Sequence, residues 1–199
     1  MNAPAPSEIQ LDVLREVANI GCGHAVNALA RLVGGKRVEL AVPQVIVTTG
    51  AEAAEQLGGD EVVTGVKLGI VGELRGLMLF VMPSRDGAAL GKVLLGHVIG
   101  GAELDSALSE AANIVASACL SAIGKLTRWK LLPTVPELRG GSAREVVGAA
   151  LRDTEGQQSS RVVVLETRFS ASSAPPVSGR MLLVLERDSS NALLQRLGV

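Results

Sequence analysis

The sequence predicts an α+β fold: a pseudo-two-fold duplicated domain with two long helices packed on an antiparallel β-sheet. Two observations predict it. Two amphipathic helical segments carry the same polar motif, at residues 12–19 and again at 106–113. Valine-rich alternating segments, separated by short glycine turns, follow each motif and are typical of antiparallel strands. We therefore expect residues 1–199 to form a single domain built of two repeats, about 8–99 and 103–198.

The repeated motif places a short polar side chain, a carboxylate and an amide on one face of each helix, because positions i, i+4 and i+7 stack on one face. The first triad is Asp12, Glu16 and Asn19, and the second triad is Ser106, Glu110 and Asn113. Within each triad the Glu and the Asn lie about 4.5 Å apart along the helix axis. The opposite faces are apolar at helical spacing, so each triad is predicted to face solvent.

The first half begins with a Pro/Ala leader at residues 1–6. Ser7 is a predicted helix cap, and Gly34 and Gly35 end the helix that it starts. The predicted elements are a helix at 8–33, a strand at 36–49 interrupted at Pro43, a short helix at 51–58, strands at 62–73 and 77–82, and a helix at 84–97.

The second half repeats this order after Gly100 and Gly101. Its predicted elements are a helix at 103–127, an extended segment at 127–136, a short helix at 142–151, strands at 161–169 and 180–186, and a helix at 190–197. Polar stretches at 153–160 and 170–178 are predicted loops. The run Gly76–Val81 matches Gly179–Val184, which also indicates an ancient duplication.

Composition excludes several classes of function. A net charge of −1 and 2% aromatic residues give no basis for nucleic-acid binding. No secretory signal and no run of about 20 apolar residues is present, so we expect a cytoplasmic protein without membrane insertion. Cys22 and Cys119 lie in apolar helix sequence and are predicted to be buried and reduced. His24 and His97 are too isolated to suggest a metal site.

The two triads lack the groups for a self-contained acid–base or covalent site, and no phosphate-binding glycine loop accompanies them. An amide can instead hold a water in line with a phosphorus atom, because phosphoryl transfer depends mostly on positioning and charge stabilisation. An exposed carboxylate suits an ion pair with a lysine of a partner protein. The triads are therefore predicted to complete an active site that belongs to another protein.

Each triad is followed by a proline: Pro43 comes after 23 intervening residues and Pro136 after 22. The pattern Asp/Ser-x3-Glu-x2-Asn with a proline about two dozen residues on resembles the signature of the CheC/CheX/FliY family of chemotaxis phosphatases. The resemblance covers nearly the whole chain. Two complete copies look more like CheC than like CheX, which is expected to keep one. The extra residue before Pro43 is predicted to be taken up in the turn at Gly34 and Gly35.

The resemblance implies hydrolysis of the aspartyl phosphate of a CheY-like response regulator. The residues it implies as catalytic are Glu16, Asn19, Glu110 and Asn113, and those it implies as supporting are Asp12, Ser106, Pro43 and Pro136. In this family the Glu contacts the regulator's lysine and the Asn orients the attacking water. No cofactor is implied for the chain itself, since the Mg²⁺ belongs to the regulator.

Two alternatives stay open at the sequence level. Asn19 and Asn113 could be buried hydrogen-bonding residues at a helix crossing, because duplication also preserves structural residues. The whole protein could be a non-catalytic adaptor that binds a regulator or the receptor deamidase CheD, which members of CheC type are expected to bind. The presence of both Glu–Asn pairs favours the enzyme over the adaptor.

Overall fold

The computed structural model describes residues 6–97, 100–152, 161–173 and 175–199. Both halves of the described chain have the element order helix, two strands, helix, two strands, helix. The first half contains α1 (Glu8–Leu32), β1 (Val38–Leu40), β2 (Gln44–Thr49), α2 (Gly50–Leu57), β3 (Val62–Val71), β4 (Gly76–Pro83) and α3 (Ser84–Leu95). The second contains α4 (Gly101–Thr127), β5 (Leu132–Pro133), β6 (Glu137–Ser142), α5 (Ala143–Arg152), β7 (Arg161–Ala171), β8 (Val177–Glu186) and α6 (Arg187–Arg196).

The eight strands form one antiparallel sheet in the order β1-β7-β8-β4-β3-β5, with β2 also paired to β7 and β6 also paired to β3. Each half therefore adds its first two strands to the hairpin of the other half. In the centre of the sheet, β4 pairs with β8 and aligns Leu79 with Leu182. The α+β class and the antiparallel sheet are as predicted.

Helices cover both faces of the sheet. One core cluster joins side chains of α1, α4, α3 and α6 to one face, and a second cluster joins α2 and α5 to the other face. Strand β4 is consequently buried on both sides from Leu77 to Met82. The long helices on one face of the sheet are as predicted, whereas the layer that α2 and α5 add on the other face was not predicted from the sequence.

The two long helices end differently. Gly34 and Gly35 both take left-handed backbone angles after α1, with φ of 75° and 72°, whereas Arg128 alone does so after α4, with φ of 62°. Glycine adopts this conformation without a side-chain clash. The additional left-handed residue after α1 agrees with the prediction that this turn takes up the extra residue before Pro43.

The strands differ from the predictions in two places. The prediction missed β6, because Glu137–Ser142 contains two glycines and lacks apolar alternation; its backbone pairing with β3 makes it a strand. The predicted loop at 170–178 is too long by two residues at each end, since Ala171 pairs with Val177 and Ser170 with Ser178. Pairing partners decide strand formation more than residue propensity does. The predicted loop at 153–160 lies outside the described residues.

Candidate functional site

The first triad lies on the solvent face of α1. Ser7 and Gln10 form a reciprocal capping box at the start of this helix, so the helix is regular before the triad begins. Asp12, Glu16 and Asn19 are all exposed, as predicted. The buried face of the same helix packs into the core and comprises Leu14, Val17, Ala18, Gly21, Cys22, Ala25, Val26 and Leu29.

The second triad lies on α4 in the same arrangement. Ser106 and Glu110 are exposed, and Asn113 is half-buried. Leu108 and Val115 belong to the buried face of this helix. Neither asparagine is therefore a buried structural residue at the crossing of the two helices, and that alternative from the sequence analysis is wrong.

The four predicted catalytic side chains are unengaged. Within the described part of the chain, no hydrogen bond or ion pair involves the side chain of Glu16, Asn19, Glu110 or Asn113. Asp12 differs, because its Oδ1 accepts a hydrogen bond from Nη1 of Arg15 at 2.5 Å. The Glu carboxylates and Asn amides are thus available to a partner molecule.

Helices α1 and α4 pack side by side and run antiparallel. A Cβ at Gly21 would lie 2.8 Å from Sγ of Cys119 and 3.1 Å from Cδ1 of Ile123, so the backbone of α1 approaches α4 closely at this point. Eight residues further along α1, Leu29 lines a small cavity together with Leu108, Ala111, Ala112 and Val115. These residues precede Cys119 in α4, so the two helices run in opposite directions.

This antiparallel order separates the two triads. The level of Asn19 on α1 corresponds to about residue 123 of α4, whereas Asn113 lies about ten residues nearer to the start of that helix, or ~15 Å along the axis. The two triads therefore form two separate surfaces rather than one composite site. Each surface takes its Glu and its Asn from a single helix.

The two motif prolines occupy matching connections. Pro43 is buried between β1 and β2, and Pro136 is half-buried between β5 and β6. Helix α1 contacts both β1 and β2, and α4 contacts both β5 and β6, so each proline connection runs beside its triad helix. A proline offers no titratable or nucleophilic group there, and its fixed φ angle shapes the connection.

Unlike Gly21, Gly23 does not lie at the close contact between α1 and α4. A Cβ at Gly23 would meet nothing within 4 Å. Gly23 follows Asn19 by one helical turn and Glu16 by two, so it belongs to the exposed face that carries the triad. The small residue leaves open space beside Asn19.

The cysteines are unpaired and buried, as predicted. Burial raises the pKa of the Cys22 thiol, and burial followed by the proximity of Cys22 raises the pKa of Cys119 well above its usual range. Both are therefore neutral thiols at pH 7 and poor nucleophiles. On the surface, Nε2 of His97 lies 3.5 Å from Oε1 of Glu103. The described residues contain no group of three or more His, Cys, Asp or Glu side chains that could hold a metal ion.

Helix α4 is long and apolar enough to cross a membrane by length and composition alone. However, 56% of its most apolar 18-residue window is buried inside the protein. Its apolar side chains contact α1, α3 and the sheet, which is the environment of a core helix.

A family model described as the CheC-like family matches residues 9–47, which contain the first triad and Pro43. The chain is 31% identical over 199 residues to the CheY-P phosphatase CheC of Bacillus subtilis (strain 168), covering 96% of this chain and 95% of that protein.

Solved structures show the same fold. The chain resembles FliY of Thermotoga maritima with a TM-score of 0.79 and 16% identity, covering 97% of this chain and 98% of the other. It resembles CheX in the CheX–CheY–BeF3–Mg²⁺ complex of Borrelia burgdorferi with a TM-score of 0.53 and 14% identity, covering 86% and 97%. Together with the 31% identity over almost the full length of CheC, these findings show that the chain belongs to the CheC-like family.

Proposed function

We propose that the protein hydrolyses the aspartyl phosphate of a CheY-like receiver domain in chemotaxis signalling, and that it does so in the cytoplasm. The observation that carries the proposal is the pair of exposed, unengaged Glu–Asn sets, repeated at the same spacing on α1 and α4. The identity to a protein named CheY-P phosphatase supports the same reaction.

In this mechanism the amide of Asn19 or Asn113 reaches the acyl phosphate of the bound regulator. Its oxygen accepts a hydrogen bond from a water, and the water is held in line with the phosphorus atom. Attack forms a new P–O bond and breaks the bond to the aspartyl oxygen, which leaves as a carboxylate while inorganic phosphate is released. The protein contributes position rather than a base. The Mg²⁺ that neutralises phosphate charge is the regulator's, and we propose no cofactor for this chain.

The neighbouring carboxylates have a different role in the proposal. Glu16 and Glu110 lie one helical turn before the asparagines and carry free negative charge on an exposed face. A lysine of the regulator can pair with either carboxylate, which fixes the register of the complex. This interaction aligns the asparagine with the acyl phosphate before the reaction begins.

The asparagine variants test the proposal by phosphate release from a phosphorylated CheY-like receiver domain. Because the two triads are separate, Asn19→Ala and Asn113→Ala should each retain part of the activity. Asn27→Ala is the matched control, since Asn27 is an exposed amide on α1 two turns beyond Asn19. It should release phosphate at the wild-type rate. Unchanged rates in both single variants and in their combination would instead favour the adaptor alternative, in which the protein binds a regulator or CheD without hydrolysis.

A further inference from the structure

The two most exposed large apolar side chains in the described residues occupy equivalent positions. Val42 is 80% exposed and Val135 is 82% exposed. Each directly precedes a motif proline, Pro43 or Pro136. A single exposed valine is ordinary on a protein surface. The same exposure beside both triads needs an explanation that applies to both.

The backbone on either side of Val42 is fixed. Ala41 N donates a hydrogen bond to the carbonyl of Arg168 at 2.9 Å, and Gln44 starts the pairing of β2 with β7. Pro43 is buried between them. The valine is therefore held outward by an anchored connection and does not lie on a loose loop.

Val135 is anchored in a comparable way. Thr134 N donates to the carbonyl of Gly69 at 2.9 Å, and Thr134 Oγ1 accepts from Gly69 N at 2.8 Å. Pro136 follows at a half-buried position and leads directly into β6. Both valines are thus presented by rigid backbone, which lowers the entropic cost of using them in a contact.

The connection that carries Val135 runs along α4 towards Asn113. Gly124 of α4 faces the start of this connection, because a Cβ there would lie 2.6 Å from the carbonyl oxygen of Trp129 and 3.9 Å from Leu131 N. After the connection, Leu138 pairs with Val66, and Val66 lines a cavity with Ala112 and Val115 of α4. The chain from Leu131 to Leu138 therefore runs from the level of Gly124 back to the level of Asn113, and Val135 lies on this path.

We propose that Val42 and Val135 are substrate contacts that pack against apolar side chains of the receiver domain beside its phosphorylated aspartate. Because each valine lies on the proline connection that runs beside its triad helix, a molecule that binds over the asparagine is placed to cover the valine as well. The inference rests on the proposed phosphatase function.

The test measures steady-state phosphate release in full-length proteins with one working triad. Val135→Ser is made in the Asn19→Ala background and Val42→Ser in the Asn113→Ala background. Each should raise KM about three- to tenfold, because an apolar side chain no longer leaves water on binding, while kcat is unchanged. The matched control is Val62→Ser, because Val62 is 65% exposed at the far end of β3 and should not alter KM.

Three outcomes would overturn the inference. The first is an unchanged KM in both valine variants while the asparagine substitutions still reduce turnover; this separates failure of the valine contact from failure of the phosphatase function. The second is a change in the KM of the two valine variants that is no larger than the change caused by the control substitution Val62→Ser. The third is a change of oligomeric state in the valine variants, which would show that a second copy of the chain covers the valines.

Discussion

Glu16 and Glu110 are surface carboxylates without a partner in the described chain, and this freedom defines their proposed role. Glu16→Lys combined with Glu110→Lys should weaken regulator binding about tenfold or more at low ionic strength, since a like charge then opposes the regulator's lysine. Added salt should reduce the difference in affinity between this variant and wild type, because salt screens the interaction between exposed charges. A binding titration against a receiver domain carrying a phosphate mimic measures both effects.

A charge reversal away from the triads provides the control for these variants. Glu61→Lys changes an exposed carboxylate just before β3 and alters the net charge in the same direction. If Glu61→Lys weakens binding as much as a single triad reversal does, general electrostatic attraction rather than docking at the triads explains the loss.

Cys22 and Cys119 link pH to stability. Burial raises the pKa of both thiols in the folded protein, so the unfolded chain ionises first as the pH rises. The free energy of unfolding should therefore be unaffected by the thiols below pH ~8.5 and should fall above it. Denaturant unfolding at several pH values, compared with a Cys22→Ala/Cys119→Ala variant, isolates this contribution. If the free energy of unfolding falls more steeply above pH ~8.5 in the variant than in wild type, the thiols do not make this contribution.

The same double variant tests whether the thiols act in the chemistry. Both cysteines are buried: Sγ of Cys119 lies against Gly21 of α1, and the thiol of Cys22 contacts Thr167 of β7, so neither sulfur is on the exposed faces that carry the triads. Turnover under reducing conditions should therefore match wild type in the folded variant, although removal of buried sulfur lowers stability by about 1–2 kcal/mol. A large loss of activity with the fold intact would assign the cysteines a functional role.

At the scale of the elements, the contact between α1 and α4 depends on one glycine. Gly21→Val should destabilise the protein by about 2–3 kcal/mol, because the new side chain would overlap Cys119 and Ile123. Gly23→Ala on the same helix should stabilise it by about 0.5–1 kcal/mol, because it meets open space and gains helix propensity. Denaturant unfolding of both variants should show opposite shifts. If the two substitutions change the free energy of unfolding by the same amount, the two helices do not approach each other closely at Gly21.

The helices were more predictable than the strands because their signals are local. The apolar period and the capping serine predict α1 without reference to any other segment. Strand β6 has no such signal in its own residues and is a strand because β3 lies beside it. Both triads followed from spacing alone, since positions four and seven residues apart always share a helix face. The roles of these residues in catalysis stay predictions.

The surroundings of the triads could not be predicted in the same way. The exposure of Val42 and Val135 depends on where the proline connections run relative to the helices, and that path is set by strand pairing with β7 and β3. The hydrogen bond that anchors the connection of Val135 joins Gly69 and Thr134, which are 65 positions apart in the sequence. A periodic pattern carries no information about contacts of this kind.

At the scale of the whole molecule, the two halves are interleaved rather than adjacent. Strands β1 and β2 pair with β7, and β5 and β6 pair with β3, so each half completes the sheet of the other. Isolated fragments covering residues 1–99 and 100–199 should therefore remain unfolded alone, whereas the full chain should unfold in one cooperative transition. Circular dichroism melting curves of the fragments and the full chain test this. A cooperative melt of either fragment alone would contradict it.

The most direct test of the central claim is a paired measurement on the Asn19→Ala/Asn113→Ala variant: phosphate release from a phosphorylated receiver domain, and affinity for the same domain carrying a phosphate mimic. The proposed division of roles predicts that accelerated release falls to the regulator's own rate while the affinity stays within about threefold of wild type. The amides position water but add little to docking. Phosphate release at the wild-type rate in this variant would contradict the account, because the asparagines would then not be catalytic.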